Sequence, residues 1–118
     1  MDASYQYVKE KEDVKSIIDG ISLGLKEQLV AGLSGTARSF FTSVIHRAQP
    51  KKTLILTHQL MHAQQLYDDL IEFSDNPHVY LYPVNESIAA EMAISSPELR
   101  AERIRSLTNW LKSDTGII

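Results

Sequence analysis

Residues 29–39 read L-V-A-G-L-S-G-T-A-R-S, and the fold class follows from what this stretch is taken to be. A phosphate-binding loop reads G-x-x-x-x-G-K-[ST], entered from a buried strand and left through a helix whose N-terminus faces the phosphates. Gly32 fills the first position, Gly35 and Thr36 lie inside the loop, and Ala37, Arg38 and Ser39 stand where Gly, Lys and Ser/Thr belong. In a working loop the second glycine lets successive backbone N–H groups curl round the phosphates, while the lysine acts as a compact point charge. Ala37 adds a Cβ at the point of closest approach, and Arg38 brings a longer, planar fork. Only the hydroxyl of Ser39 keeps the chemistry of its position. Gly32, Gly35, Thr36, Ala37, Arg38 and Ser39 therefore read as a vestigial loop. The plainer reading, a strand followed by a Gly/Ser turn and a helix start, fits the same residues.

Outward from the loop the hydrophobic period alternates. Upstream, Val14, Ile17, Ile18 and Ile21 form an i, i+3, i+4, i+7 stripe that predicts an amphipathic helix within residues 10–25, loosened or ended by Gly20 and Gly24. Residues 27–33 then predict a short buried strand on Leu29, Val30 and Ala31. Downstream, Phe40, Phe41, Val44, Ile45 and Ala48 predict a helix over residues 37–46, with Pro50 at its exit. Residues 51–57 predict a strand buried on both faces, because Leu54, Ile55 and Leu56 are continuous and apolar. Leu60, Ala63, Leu66, Tyr67, Leu70 and Ile71 restore the helical period over residues 59–73.

Asp75, Asn76 and Pro77 predict a turn into a third strand over residues 78–81. Residues 84–95 carry a weaker pattern with room for a short helix around Ile88 to Met92. Ser96 as N-cap, Pro97 at the first helical position and Glu98 in the first turn mark a further helix start. Ala101, Ile104, Leu107, Trp110 and Leu111 should be that helix's buried face. Asp114, Thr115 and Gly116 stop it, and Ile117 and Ile118 resemble the start of another strand. An apolar stub there suggests a piece of a longer chain, a complete domain with an edge strand being the alternative. Repeated β-α-β units joined by short loops imply an α/β fold, a mainly parallel sheet flanked by helices.

With 118 residues, 43% hydrophobic and 23% charged, the chain has the composition of one globular domain. It has no cysteine, so thiolate catalysis and cysteine-ligated metals are excluded, and a reducing cytoplasm is the expected setting. A net charge of −3 argues against nucleic-acid binding by global electrostatics. No apolar run approaches the ~20 residues that span a bilayer, so no membrane partner is expected. His58 and His62 have the four-residue spacing of a two-histidine metal site. Gln59, however, stands where H-E-x-x-H has glutamate, and no third ligand follows, so no metal site is expected. Asp68 and Asp69 are adjacent and point apart on a helix. Ser34 and Ser39 have no nearby histidine to activate them. Neither of the second and third predicted strands ends in the aspartate of a Walker B segment.

Four stretches, in order, resemble the N-terminal part of the bacterial transcription-repair coupling factors. They are L-K-E-Q-L-V-A-G-L-S-G-T-A-R-S, L-I-L-T-H-Q-L-M-H-A-Q-Q-L-Y-D-D-L, L-Y-P-V-N-E and S-P-E-L-R-A-E-R-I-R. That part is similar to the first domain of the excinuclease B subunit, whose pattern His58, Ala63, Gln65, Leu66 and Tyr67 match. The resemblance covers most of the chain. It implies a P-loop NTPase or helicase-like Rossmannoid with a degenerate P-loop, forming a single excinuclease B-like domain over residues 1–118. The departures are specific. Besides Ala37 and Arg38, the adenine-reading glutamine would fall near Glu10. The tyrosine-rich hairpin that grips damaged DNA would fall between Tyr82 and Ser96, where no aromatic residue stands.

What the resemblance implies is a non-catalytic N-terminal module with no catalytic residue, cofactor or metal of its own. It would support recruitment of excinuclease A, mainly through the following domain, and restraint of a distant motor. ATP and magnesium belong to that motor. Other domains of the same protein are direct partners, and RNA polymerase and DNA are partners of the intact protein, expected to be an ATP-dependent DNA translocase. Two alternatives remain: a divergent P-loop nucleotide-binding enzyme in which Arg38 takes the lysine role, and a DNA-binding module using Arg100, Arg103 and Arg105.

Overall fold

Helix accounts for 61% of the residues that the computed structural model describes, which are 2–74, 78–83 and 97–118. Five helices are present among them: α1 (Asp2–Lys9), α2 (Glu12–Ser22), α3 (Thr36–Ala48), α4 (Leu60–Phe73) and α5 (Pro97–Lys112). The expected turn at 75–77, the weak pattern at 84–95 and the Ser96 cap lie outside the described residues.

α3 is the hub, packing against α4, α1 and α2, while α1 also packs against α2. Its buried side chains are Ser39, Ser43, Val44 and His46, with Val44 the most deeply buried and two small serines beside it. Phe40 meets Phe73 of α4 edge to face, with ring centroids 5.5 Å apart. α1, which has no expected counterpart, is held by Tyr5; the Arg47 guanidinium lies 4.0 Å from the centre of its buried ring. α2 follows the predicted stripe, with Ile18 buried and Glu12 and Asp13 at the positive end of its dipole. Gly20 stays inside the helix. The chain turns out at Gly24, whose φ of 82° suits a residue without Cβ. There Leu25 N–H donates to Gly20 O at 3.0 Å and Gly24 N–H to Ile21 O at 3.1 Å, the paired bonds of a Schellman cap.

The expected mainly parallel sheet is not formed: the described residues hold no β-strand, only two isolated parallel bridges, Thr53 to Ile117 and Val79 to Ile117. Their geometry explains why. Ile117 N–H donates to His78 O and its carbonyl accepts from Tyr80 N–H, both at 2.8 Å. On its other side Thr53 N–H donates to Gly116 O at 2.9 Å, Ile118 N–H to Thr53 O at 3.0 Å and Ile55 N–H to Ile118 O at 2.8 Å. Three extended segments thus meet along residues 116–118 alone, too short a run to build ladders on either side.

Residues 27–33 contribute nothing to this junction. A strand persists only when its backbone pairs with another strand's, and none of the described extended segments pairs with it; Leu29 is 91% exposed. Residues 51–57 are likewise not buried on both faces. Ile55 packs on the core while Leu56 is 85% exposed, the alternation of an extended segment covered on one side. The core itself is Leu70, Val79 and Ile117, flanked by Ile55, Leu66 and Tyr67. α5 also departs from expectation. Ile104, Leu107 and Leu111 are exposed, no residue of α5 is buried, and no described helix packs on it. Its C-terminal turn is fastened instead, through Lys52 Nζ to Leu111 O and Trp110 Nε1 to Gly116 O, each 3.0 Å.

Candidate functional site

The stretch before α3 turns at two glycines with positive φ, Gly32 at 87° and Gly35 at 57°. Gly35, with ψ of −135°, is in a region effectively closed to residues with a Cβ, and it delivers the chain into α3 at Thr36. No side chain caps this helix start. Ala37 and Arg38 occupy its first turn, and Arg38 folds back so that Nη2 donates to Leu33 O at 3.3 Å. The guanidinium is exposed yet bonded within the loop it belongs to. Gly32, Gly35, Thr36, Ala37 and Arg38 therefore line one exposed bend.

Ser39 parts from them. It is 4% exposed, and its hydroxyl donates to Asp69 Oδ2 of α4 at 2.8 Å. The hydroxyl expected to face a metal if the stretch were a phosphate loop is directed instead into the interface between α3 and α4. That Asp68 and Asp69 point apart on the helix does not by itself reveal this contact. The signal was present nonetheless: Leu66, Asp69, Leu70 and Phe73 stand at i, i+3, i+4 and i+7, so Asp69 shares the buried stripe of α4 and needs a polar partner there. Among the described residues no buried side-chain polar atom lacks one.

His46, buried on α3, adds a second tie: its Nε2 is 2.7 Å from Thr115 O, linking the hub helix to the turn that presents Ile117. His58 and His62 lie side by side, ring centroids 4.7 Å apart and planes inclined by 62°. Among the described residues no group of three or more metal-ligating side chains occurs. Arg100, Arg103 and Arg105 all lie on α5, but helical spacing sets the first two together and turns Arg105 away, so they form no single basic patch. An open apolar groove of about 630 Å³ runs between α4, the extended segments and α5, with Leu56, Leu66, Tyr82, Leu107 and Trp110 on its walls. No described helix is long and apolar enough to cross a membrane.

Comparison with known proteins gives one consistent result. The chain is 51% identical over 118 residues to the transcription-repair-coupling factor of Bacillus subtilis (strain 168), a match covering 100% of this chain and 10% of that protein. It is 31% identical over 94 residues to the protein of the same name from Staphylococcus epidermidis RP62A, and 33% over 94 residues to that of Staphylococcus aureus USA300. Each of these covers 80% of this chain and 8% of the relative. The chain spans about a tenth of the length of the curated relatives it matches. No family model and no solved structure matches it.

Proposed function

Because this chain is homologous over its whole length to the N-terminal tenth of the transcription-repair-coupling factors, we propose that it is a non-catalytic module of that machinery. It supports recruitment of excinuclease A to stalled RNA polymerase and restrains an ATP-dependent translocase located elsewhere in the longer protein. The observation that carries this reading is the identity of 51% across all 118 residues.

The loop geometry supports the non-catalytic part. A nucleotide with its magnesium needs backbone N–H groups open to phosphate, a free cation over the β/γ oxygens and a hydroxyl facing the metal. Here Arg38 is turned onto Leu33 O and the Ser39 hydroxyl onto Asp69, so the chain's own groups take both contacts. With Ala37 at the point of closest approach, the residues present do not fit a nucleotide. ATP and magnesium belong to the distant motor.

Two measurements test the reading. Calorimetry with ATP and magnesium should give no heat of binding to this chain, and a micromolar dissociation constant would overturn the non-catalytic assignment. In a full-length relative, deleting the matched segment should leave ATP hydrolysis intact or raised while transcription-coupled repair falls. Unchanged repair would overturn the recruitment role, and a fall in hydrolysis would overturn the restraint.

A further inference from the structure

We propose that His58 and His62 form a two-histidine clamp for a borderline divalent transition-metal ion, of which Zn²⁺ and Ni²⁺ are representative, at the entry to α4. His58 ends the extended segment and His62 sits in the first turn of the helix, so the four-residue spacing is realised across a bend rather than within one helix. Thr57 Oγ1, which donates to Gln59 O at 3.3 Å, spans that bend from within. Both imidazoles are exposed, and each is the other's ring neighbour.

Their separation is what carries the inference. With metal–nitrogen bonds of ~2.0–2.1 Å and a ring centre ~1.1 Å behind each coordinating nitrogen, angles at the metal between a right angle and the tetrahedral value put the two centroids roughly 4.5–5.2 Å apart. The observed 4.7 Å falls inside this window. In a chelate each ring would present one nitrogen to the shared ion. Imidazole selects zinc, nickel and copper over magnesium or calcium, which prefer oxygen.

The site is a weak, exchangeable one for two reasons. Two protein ligands leave two positions of a tetrahedral ion to water. A cation beside the N-terminus of α4 also opposes the helix dipole, lowering affinity about two- to fivefold. This clamp is independent of the reading proposed for the chain as a whole, since it draws on neither the loop before α3 nor the relatives.

The experiment is a titration of the untagged protein with Ni²⁺, then Zn²⁺, followed by calorimetry and by the imidazole resonances of its four histidines. One saturable site is expected, with the resonances of His58 and His62 shifting together. His58→Asn and His62→Asn should each weaken binding at least about tenfold, since loss of a direct ligand costs no less than loss of an outer partner. His78→Asn, removing an imidazole bonded to Tyr80, should leave affinity unchanged. Absence of saturable binding at millimolar metal overturns the proposal. So does equal binding by all three variants, which would mark adventitious surface coordination only.

Discussion

Ser39 and Arg38 are neighbours in sequence with opposite physical standing. The Ser39 hydroxyl donates to a carboxylate across a buried helix interface, and bonds to charged acceptors are the stronger class. Asp69 keeps partial contact with solvent, so the full value is not realised. Ser39→Ala is expected to cost about 1–2 kcal/mol in urea denaturation, and Asp69→Ala a similar amount. The double variant should lose less than the two together, because both remove one bond. Arg38→Ala should change stability by less than about 0.5 kcal/mol, since its long bond to Leu33 O lies at the surface. A loss from Arg38→Ala equal to that from Ser39→Ala would show that the loop, rather than the interhelical bond, holds α3 in place.

Individual helices illustrate what can be read from a sequence before folding. The stripe of α2, the run of α4 and the approximate bounds of α3 were legible because helical period is a local property of apolar spacing. The Schellman cap at Gly24 belongs to the same class, a glycine answering to its own backbone bonds. Gly24→Ala should therefore cost about 1 kcal/mol and abolish hydrogen-exchange protection at Leu25 N–H, leaving α3 and α4 protected. Extended segments were read less well. Leu29, Leu54 and Leu56 have strand-like composition, yet strand formation depends on distant backbone partners that a local pattern does not specify. The exposed face of α5 follows the same logic: Ile104 and Leu111 were correctly placed on one face, but spacing does not say that anything covers it. The candidate loop was legible as a pattern of residues, whereas the bond from Ser39 to Asp69 spans 30 positions and emerges only when α3 lies against α4.

Across the whole molecule, burial is concentrated in small places. Leu70, Val79 and Ile117 form the core cluster, while Leu29, Leu54, Leu56, Ile104 and Leu111 remain outside it. Ile117→Ala should cost about 2–5 kcal/mol, because the side chain is 1% exposed and its removal leaves a void where three segments converge. Leu56→Lys should leave the midpoint of thermal unfolding nearly unchanged while reducing the fluorescence of an apolar dye that reports exposed groove. A large stability loss from Leu56→Lys would mean that the groove wall is part of the core.

The three-way junction at Ile117 also sets an order of events during synthesis. The contacts of α1 to α4 with one another are complete by Phe73, but Leu70, Ile55 and Val79 must wait for Ile117, and His46 for Thr115, residues that leave the ribosome much later. At ~5–20 residues per second, the roughly 40 residues between Val79 and Ile117 take several seconds to arrive. Throughout that interval the nascent chain carries two half-finished extended segments with open hydrogen-bonding edges, so ribosome-associated chaperones have a defined window in which to act on it.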